Sequence, residues 1–241
     1  MITAYDAPFA HAAEEAGIDL LLVGDSLGMV VLGYESTTPV TLQDMLRHTA
    51  AVIRGTRTAH VVADLPFLSY QSCDEDAVRS AGTLVKDAGA LSVKLEGGAD
   101  AAPRICAIVR AGIPVMAHIG LLPQTAGLGP GYRTRGDRER LLADARAVES
   151  AGAYAVVLEK VDGEIAAEVT RELRIPTIGI GSGAACDGQV LVMHDVLGLV
   201  ASPPPFAKAY ARIGEVAREA LAAYAGEVRA GAFPPHEAAR K

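Results

Sequence analysis

Ala88-Gly89-Ala90-Leu91-Ser92-Val93-Lys94-Leu95-Glu96 decides the fold of this chain. Ahead of it, Glu75 to Ala88 places apolar residues three and four apart, the period of a helix with one buried face. Gly89 is the residue type that closes such a helix, because it takes the left-handed conformation without strain. A short apolar strand, Leu91 to Leu95, follows and delivers charge at its end through Lys94 and Glu96. The same passage from helix through glycine into strand recurs at Ala16-Gly17-Ile18, Ala111-Gly112-Ile113 and Ala151-Gly152-Ala153.

Working outward gives eight candidate strands. They are Ile2 to Tyr5, Leu20 to Gly24, His60 to Asp64, Leu91 to Leu95, Val115 to His118, Ala155 to Glu159, Thr177 to Ile180 and Val190 to Met193. Helical spacing fills the intervals at Phe9 to Ala16, Leu42 to Arg54, Glu75 to Ala88, Ala101 to Ala111, Arg138 to Ala151 and Glu164 to Leu173, with Asp74 and Asp137 where N-caps belong. Alternating βα units predict a parallel sheet, and eight of them predict an α/β fold, a (β/α)8 TIM barrel as a single domain over 1–241. The Pro-rich stretch 202–206 must break any helix, and 207–229 then reads as a C-terminal helical extension, packed on the barrel or on a neighbouring subunit.

Half of the 241 residues are hydrophobic, but only 5% are aromatic and none is Trp, so the core must be Ala, Val, Leu and Ile, as in strands buried on both faces. The formal net charge of −7, without blocks of like charge, argues against nucleic acid or an anionic membrane and for a small-molecule ligand. Apolar runs are strand-sized and no charged N-terminal leader precedes one, which predicts a cytoplasmic protein. Three widely spaced cysteines, Cys73, Cys106 and Cys186, suit neither a disulfide framework nor a thiolate zinc site.

Catalytic groups of such a barrel sit at the C-terminal ends of its strands. Here those ends read Asp25-Ser26, Asp64, Lys94-Leu95-Glu96, His118, Glu159-Lys160, Gly181-Ser182-Gly183 and His194-Asp195. Any one of them alone has an ordinary explanation: an Asp caps the next helix, a His is hydrogen-bonded in the core, a Glu or Lys is half of an ion pair. Together they crowd several charges around one mouth, where unpaired charge is costly. Acids gathered there need a cation, and oxygen-only ligands favour Mg2+ over zinc. Lys94 and Glu96, two apart on one strand, point the same way: a positive group for a substrate carboxylate and an acid for the metal or its waters. The glycine-rich Gly179-Ile180-Gly181-Ser182-Gly183 fits an anion-binding loop and a plain tight turn equally well. Leu128-Gly129-Pro130-Gly131-Tyr132 reads as a flap, while His11, His48 and His236 read as surface residues.

In this order the residues resemble the ketopantoate hydroxymethyltransferase family over nearly the whole chain. The landmarks are Thr3-Ala4-Tyr5-Asp6, Val23-Gly24-Asp25-Ser26-Leu27-Gly28, Ala63-Asp64-Leu65-Pro66-Phe67, Val93-Lys94-Leu95-Glu96-Gly97-Gly98, His118-Ile119-Gly120-Leu121, Leu158-Glu159, Gly179-Ile180-Gly181 and Asp187-Gly188-Gln189-Val190-Leu191-Val192-Met193-His194-Asp195. The resemblance implies transfer of a hydroxymethyl unit from 5,10-methylenetetrahydrofolate to 3-methyl-2-oxobutanoate through a Mg-stabilised enolate, giving 2-dehydropantoate for coenzyme A synthesis. It implies Mg2+ on Asp25 and Asp64 with Glu96 completing the acidic shell. Asp25, Ser26, Asp64 and Lys94 would bind the keto acid, His118 would contact it or shape the pocket, and Glu159 would be the catalytic base. It also implies a homo-oligomer, decameric in the family, and a segment ahead of the first strand whose shortness here bears on stability or assembly rather than chemistry.

Two rivals stand beside this reading. One is a Mg2+-enolate lyase or mutase resembling phosphoenolpyruvate mutase or isocitrate lyase, which the lack of a reactive-cysteine loop after a strand end disfavours. The other is a non-catalytic barrel, which the intact rim of acids disfavours.

Overall fold

A computed structural model describes residues 1–126 and 137–235; the flap expected at 128–132 and His236 lie outside them. The chain forms two compact units, Met1–Val192 and Met193–Lys241.

The first unit is the barrel. Its eight strands are β1 Ile2–Thr3, β2 Leu20–Val23, β3 His60–Asp64, β4 Ser92–Glu96, β5 Val115–Gly120, β6 Ala155–Glu159, β7 Thr177–Ile180 and β8 Gly188–Gln189. They lie in the sheet in sequence order, every neighbouring pair parallel. A parallel bridge from Ile2 to Leu191, with Thr3 N–H donating to Leu191 O at 3.1 Å, joins the first edge to the last. Between the strands run α1 Ala7–Glu15, α2 Leu27–Val30, α3 Leu42–Gly55, α4 Asp74–Ala88, α5 Ala102–Arg110, α6 Pro123–Ala126, α7 Arg138–Ser150 and α8 Gly163–Glu172.

The helix-to-strand signature forms as its chemistry requires. Gly89 closes α4 at a φ of 85°, its N–H on Val85 O and that of Ala90 on Leu84 O, both at 3.1 Å. Those bonds satisfy carbonyls that the helix end leaves open. Asp137 caps α7 by accepting from Arg140 N–H at 3.0 Å. Asp74, expected as a cap, is instead the first residue of α4; Cys73 holds the cap position without a side-chain bond, and the Asp74 carboxylate pairs with Arg104 of α5.

Alternation along the strands divides two cores. Leu22, Val62, Met116, Ala155, Val157, Ile178 and Val190 pack together as the barrel interior. Leu21, Val61, Val93, Leu95, Val115 and Val156 are equally buried but of opposite parity, beneath helices that bury Leu84, Ile105, Ile108, Leu141 and Val148. The inward parity therefore continues upward through Val62 to Asp64, Ser92 to Lys94 and Glu96, Met116 to His118, and Val157 to Glu159.

The sequence expectation fails at the eighth strand. Pairing begins at Gly188, two residues before the expected Val190, because the Asp187 carboxylate accepts the Thr177 N–H at 2.9 Å and sets Gly188 beside Ile178; Val190 N–H still donates to Gly179 O at 3.0 Å. The apolar run continues past the sheet, and Met193–Val196 turns into a short helix, α9, so His194 and Asp195 stand on a helix of the second unit and not at a strand end. That unit's long helix, α10, spans Ile213–Arg229, not 207–229. The residues after the prolines are held instead by a turn, Ala207 N–H on Pro204 O, and by a longer-range bond to α9, Tyr210 N–H on Val196 O. No helix among the described residues is long and apolar enough to cross a membrane.

Candidate active site

Neighbouring strands bring the charged ends together by register. Asp64 lies opposite Lys94, Glu96 opposite His118, and Gly120 opposite Glu159. Asp25 comes from the turn just past β2. Its backbone N–H donates to Asp64 Oδ2 at 3.1 Å, and the acid reaches it across Gly24. A Cβ at Gly24 would stand 2.8 Å from Ser26 Oγ but at an ordinary 3.5 Å from Asp64 Oδ2, so the absence of a side chain makes room for the Ser26 hydroxyl.

Asp25, Asp64, Lys94, Glu96 and His118 are all at most 5% exposed. Lys94 Nζ lies 3.1 Å from Asp64 Oδ1 and 3.2 Å from His118 Nδ1. An ammonium only donates, so His118 Nδ1 must be the lone-pair nitrogen and Nε2 carries the proton of the neutral ring. That Nε2 stands 3.3 Å from Glu159 Oε2. His118 thus lies between Lys94 and Glu159. Burial, then the adjacent Lys94 charge, hold its pKa below the ordinary histidine value, and the ring stays neutral.

The acids crowd one another. Burial first, then the Asp64 charge, push Asp25 up to about 7. Burial and the Asp25 charge raise Glu96 well above the usual carboxylate range. Burial alone would lower Lys94, but the charges of Asp64, Glu96 and Asp25 outweigh it and hold the pKa above the normal lysine value. Asp64 Oδ1 is paired with Lys94, whereas Glu96 Oε1 is buried without a hydrogen-bond partner, an atom of the kind that a hard cation or its waters satisfies. Among the described residues no three His, Cys, Asp or Glu side chains converge closely enough to form a metal-holding group by themselves.

Ser26 is half-buried and its hydroxyl is 2.9 Å from that of Tyr5. Ser182 is spoken for: its Oγ donates to Leu158 O at 2.7 Å and accepts Val161 N–H at 3.0 Å, a latch between β6 and the loop after β7. A cavity of about 440 Å3, lined by Lys160, Asp162, Gly163, Ile165, Gly181 and Gly183, opens beside the end of β6. His48 is not a plain surface residue, since its Nδ1 lies 2.6 Å from Tyr5 O. Sequence reading missed Gln124 on the short helix α6 and Tyr70 in the loop after β3, both buried against the acids; the only signal was a polar residue in the otherwise apolar Gly120-Leu121-Leu122-Pro123-Gln124.

Eight parallel strands with a buried, ionisable rim at their C-terminal ends define a (β/α)8-barrel enzyme. Solved proteins of like fold include a 2,3-dimethylmalate lyase of the PEP mutase/isocitrate lyase superfamily (TM-score 0.63, 19% identity, 95% of this chain and 82% of that one). A phosphonopyruvate hydrolase in complex with oxalate and Mg++ is another (TM-score 0.63, 15% identity, 100% and 85%). The family model of ketopantoate hydroxymethyltransferase matches residues 1–236. The 3-methyl-2-oxobutanoate hydroxymethyltransferase of Chloroflexus aurantiacus is 56% identical over 98% of this chain and 85% of that protein; that of Ignicoccus hospitalis is 55% identical over 97% and 90%. The chain belongs to the ketopantoate hydroxymethyltransferase family, enzymes of pantothenate synthesis.

Proposed function

We propose that the rim takes 3-methyl-2-oxobutanoate and a hydroxymethyl unit from 5,10-methylenetetrahydrofolate, forms 2-dehydropantoate, and works in the cytoplasm with Mg2+ bound. The observation that carries this reading is the division of charge: Asp25, Asp64 and Glu96 gathered about Lys94, with Glu159 set apart behind His118. Oxalate and Mg++ in the phosphonopyruvate hydrolase of like fold support a metal with a small dicarbonyl anion.

Asp25 and Asp64 would ligate the ion directly. Mg2+ keeps several waters and takes one or two carboxylates, which accords with the absence of a tight three-residue group and gives Glu96 a water-mediated part. When bound, the ion supplies a Lewis acid that offsets negative charge growing on the keto oxygen. Lys94 and the Ser26 hydroxyl orient the substrate carboxylate, and such positioning contributes several kcal/mol, up to ~7 to 11 in the best intramolecular cases. C3 is nucleophilic only as the enolate, so a base must remove its proton. Glu159 is that base, 14% exposed at the mouth with the His118 ring 3.3 Å away. The cavity beside the end of β6, lined from Lys160 onward, is the groove we assign to the folate. A single assay with keto acid, Mg2+ and methylenetetrahydrofolate tests the whole; no 2-dehydropantoate under those conditions defeats it.

Two outcomes follow for the rim. Because Asp25 is raised to about 7, it is protonated below that pH and must lose the proton to bind a cation. Mg2+ affinity should therefore be flat above pH 8 and fall by about tenfold per unit below pH 7 for one displaced proton, read by titration calorimetry in two buffers that also report proton release. Gly24→Ala should press a methyl against Ser26 Oγ. Overpacking of about 1 kcal/mol raises the keto-acid KM about fivefold or more, and a normal KM in steady-state kinetics would count against Ser26 as a substrate ligand.

A further inference from the structure

Gln124 enters the rim from α6, 2% exposed, and every polar atom of its side chain is engaged. Its Nε2 donates to Asp25 Oδ2 at 2.8 Å and to Leu65 O at 2.9 Å. Its Oε1 accepts from Tyr70 Oη at 2.8 Å and from Gln71 Nε2 at 3.2 Å. The amide can face only one way: turned over, its oxygen would meet a carboxylate and a carbonyl with no proton between them. Its backbone N–H donates to Glu96 Oε2 at 3.1 Å. One residue therefore grips one oxygen of Asp25 and one of Glu96. The third acid is treated alike by another donor, Asp25 N–H on Asp64 Oδ2. The other oxygens differ: Asp64 Oδ1 faces Lys94 Nζ at 3.1 Å, whereas Glu96 Oε1 is buried without a hydrogen-bond partner.

We infer that Gln124 is a positioning residue that lets Asp25 and Glu96 present a single oxygen each, and so fits the rim to a small octahedral cation in preference to a larger one. The inference rests on the reading of the rim as a Mg2+ site. Its physical basis is the difference between the two common hard ions. Mg2+ demands near-ideal octahedral geometry at short distance, whereas Ca2+ accepts more oxygens and bidentate carboxylates. A carboxylate with one oxygen tied to a buried amide cannot swing both onto an ion without leaving that donor unpaired, a loss that a buried group feels in full. Tyr70 completes the device. Its hydroxyl also lies 3.0 Å from Glu96 O and accepts Glu96 N–H at 3.2 Å, so it holds the amide of Gln124 and the backbone of Glu96 in one unit. A buried amide with a merely structural part would affect stability and leave the choice of ion alone.

The test is titration calorimetry of the metal-free protein with MgCl2 and with CaCl2, on wild type, Gln124→Met and Tyr70→Phe. Methionine keeps the length and removes the donors. Loss of such an outer partner costs about 10- to 100-fold in metal affinity, and here the loss should fall on Mg2+, so that the Mg2+ to Ca2+ affinity ratio drops about tenfold or more. Tyr70→Phe should move the ratio the same way by less. An unmoved ratio in Gln124→Met overturns the inference, and if that variant does not fold, an unmoved ratio in Tyr70→Phe does so. Wild type that binds neither ion defeats the reading of the rim itself. Wild type that binds Mg2+, with variants of unchanged preference, defeats only the part assigned to Gln124.

Discussion

Glu159→Gln should bind keto acid and Mg2+ as the unaltered enzyme does, yet lose most exchange of the C3 proton for deuterium. The substitution keeps the shape and the contact with His118 Nε2 at 3.3 Å, but removes the basic lone pair and the charge. A positioned general base is worth about 10² to 10⁴ in rate, so kcat should fall by that factor with the keto-acid affinity nearly unchanged. Proton NMR of the keto acid in heavy water reads the exchange without folate, and thus isolates the proton step from the transfer. Exchange at the normal rate would take Glu159 out of the base's part and turn attention to His118. The histidine is a poor rival in the present geometry, because Lys94 occupies the lone pair of Nδ1 and Nε2 carries a proton.

Asp64→Asn should give the opposite pattern. Here the expected loss is in Mg2+ affinity, by about 10- to 100-fold or more given that outer-shell changes alone reach that range. The asparagine also removes the ion-pair partner 3.1 Å from Lys94, whose other stabilising charges are Glu96 and Asp25. Calorimetric titration with Mg2+ alone measures the effect, and an unaltered affinity would refute Asp64 as a ligand. Set side by side, the two variants separate the two parts of the rim: one loses the proton step and keeps the ion, the other loses the ion first.

How far the sequence reached depended on what held each element. His60–Asp64, Ala155–Glu159 and Thr177–Ile180 were legible to the residue, because each is a β-branched or aliphatic run set off by glycine, proline or a charge. The eighth strand was not, because its position is set by a side chain ten residues away: Asp187 binding the backbone of Thr177. Composition could not reveal that the strand starts at Gly188, ahead of the apolar run Val190 to Met193, and that Met193 already opens a helix. The rim divides similarly. Asp64, Lys94, Glu96, His118 and Glu159 follow from a period of two carried to the ends of apolar strands, and register sets them side by side. Gln124 obeys no period. It lies on the short helix α6, and its partner Asp25 is 99 positions away, a pairing that only the closed barrel makes. At the glycine-rich loop, where an anion site and a plain turn read equally well from sequence, the Ser182 hydroxyl is taken up by the backbone of β6 and the loop that follows it.

The closure of the barrel has a consequence for motion. β5 and β6 are paired continuously from Met116 to Gly120, whereas the first and last strands are two residues long and meet through the single bridge at Ile2 and Leu191. The cylinder is therefore a stiff arc with a seam. Most of the charged rim, from Asp64 to Glu159, hangs on the arc, and opening free energies follow local pairing. Breathing along the seam can relax the barrel without moving the acids, so that the part of the wall that flexes is not the part that holds the charges in place.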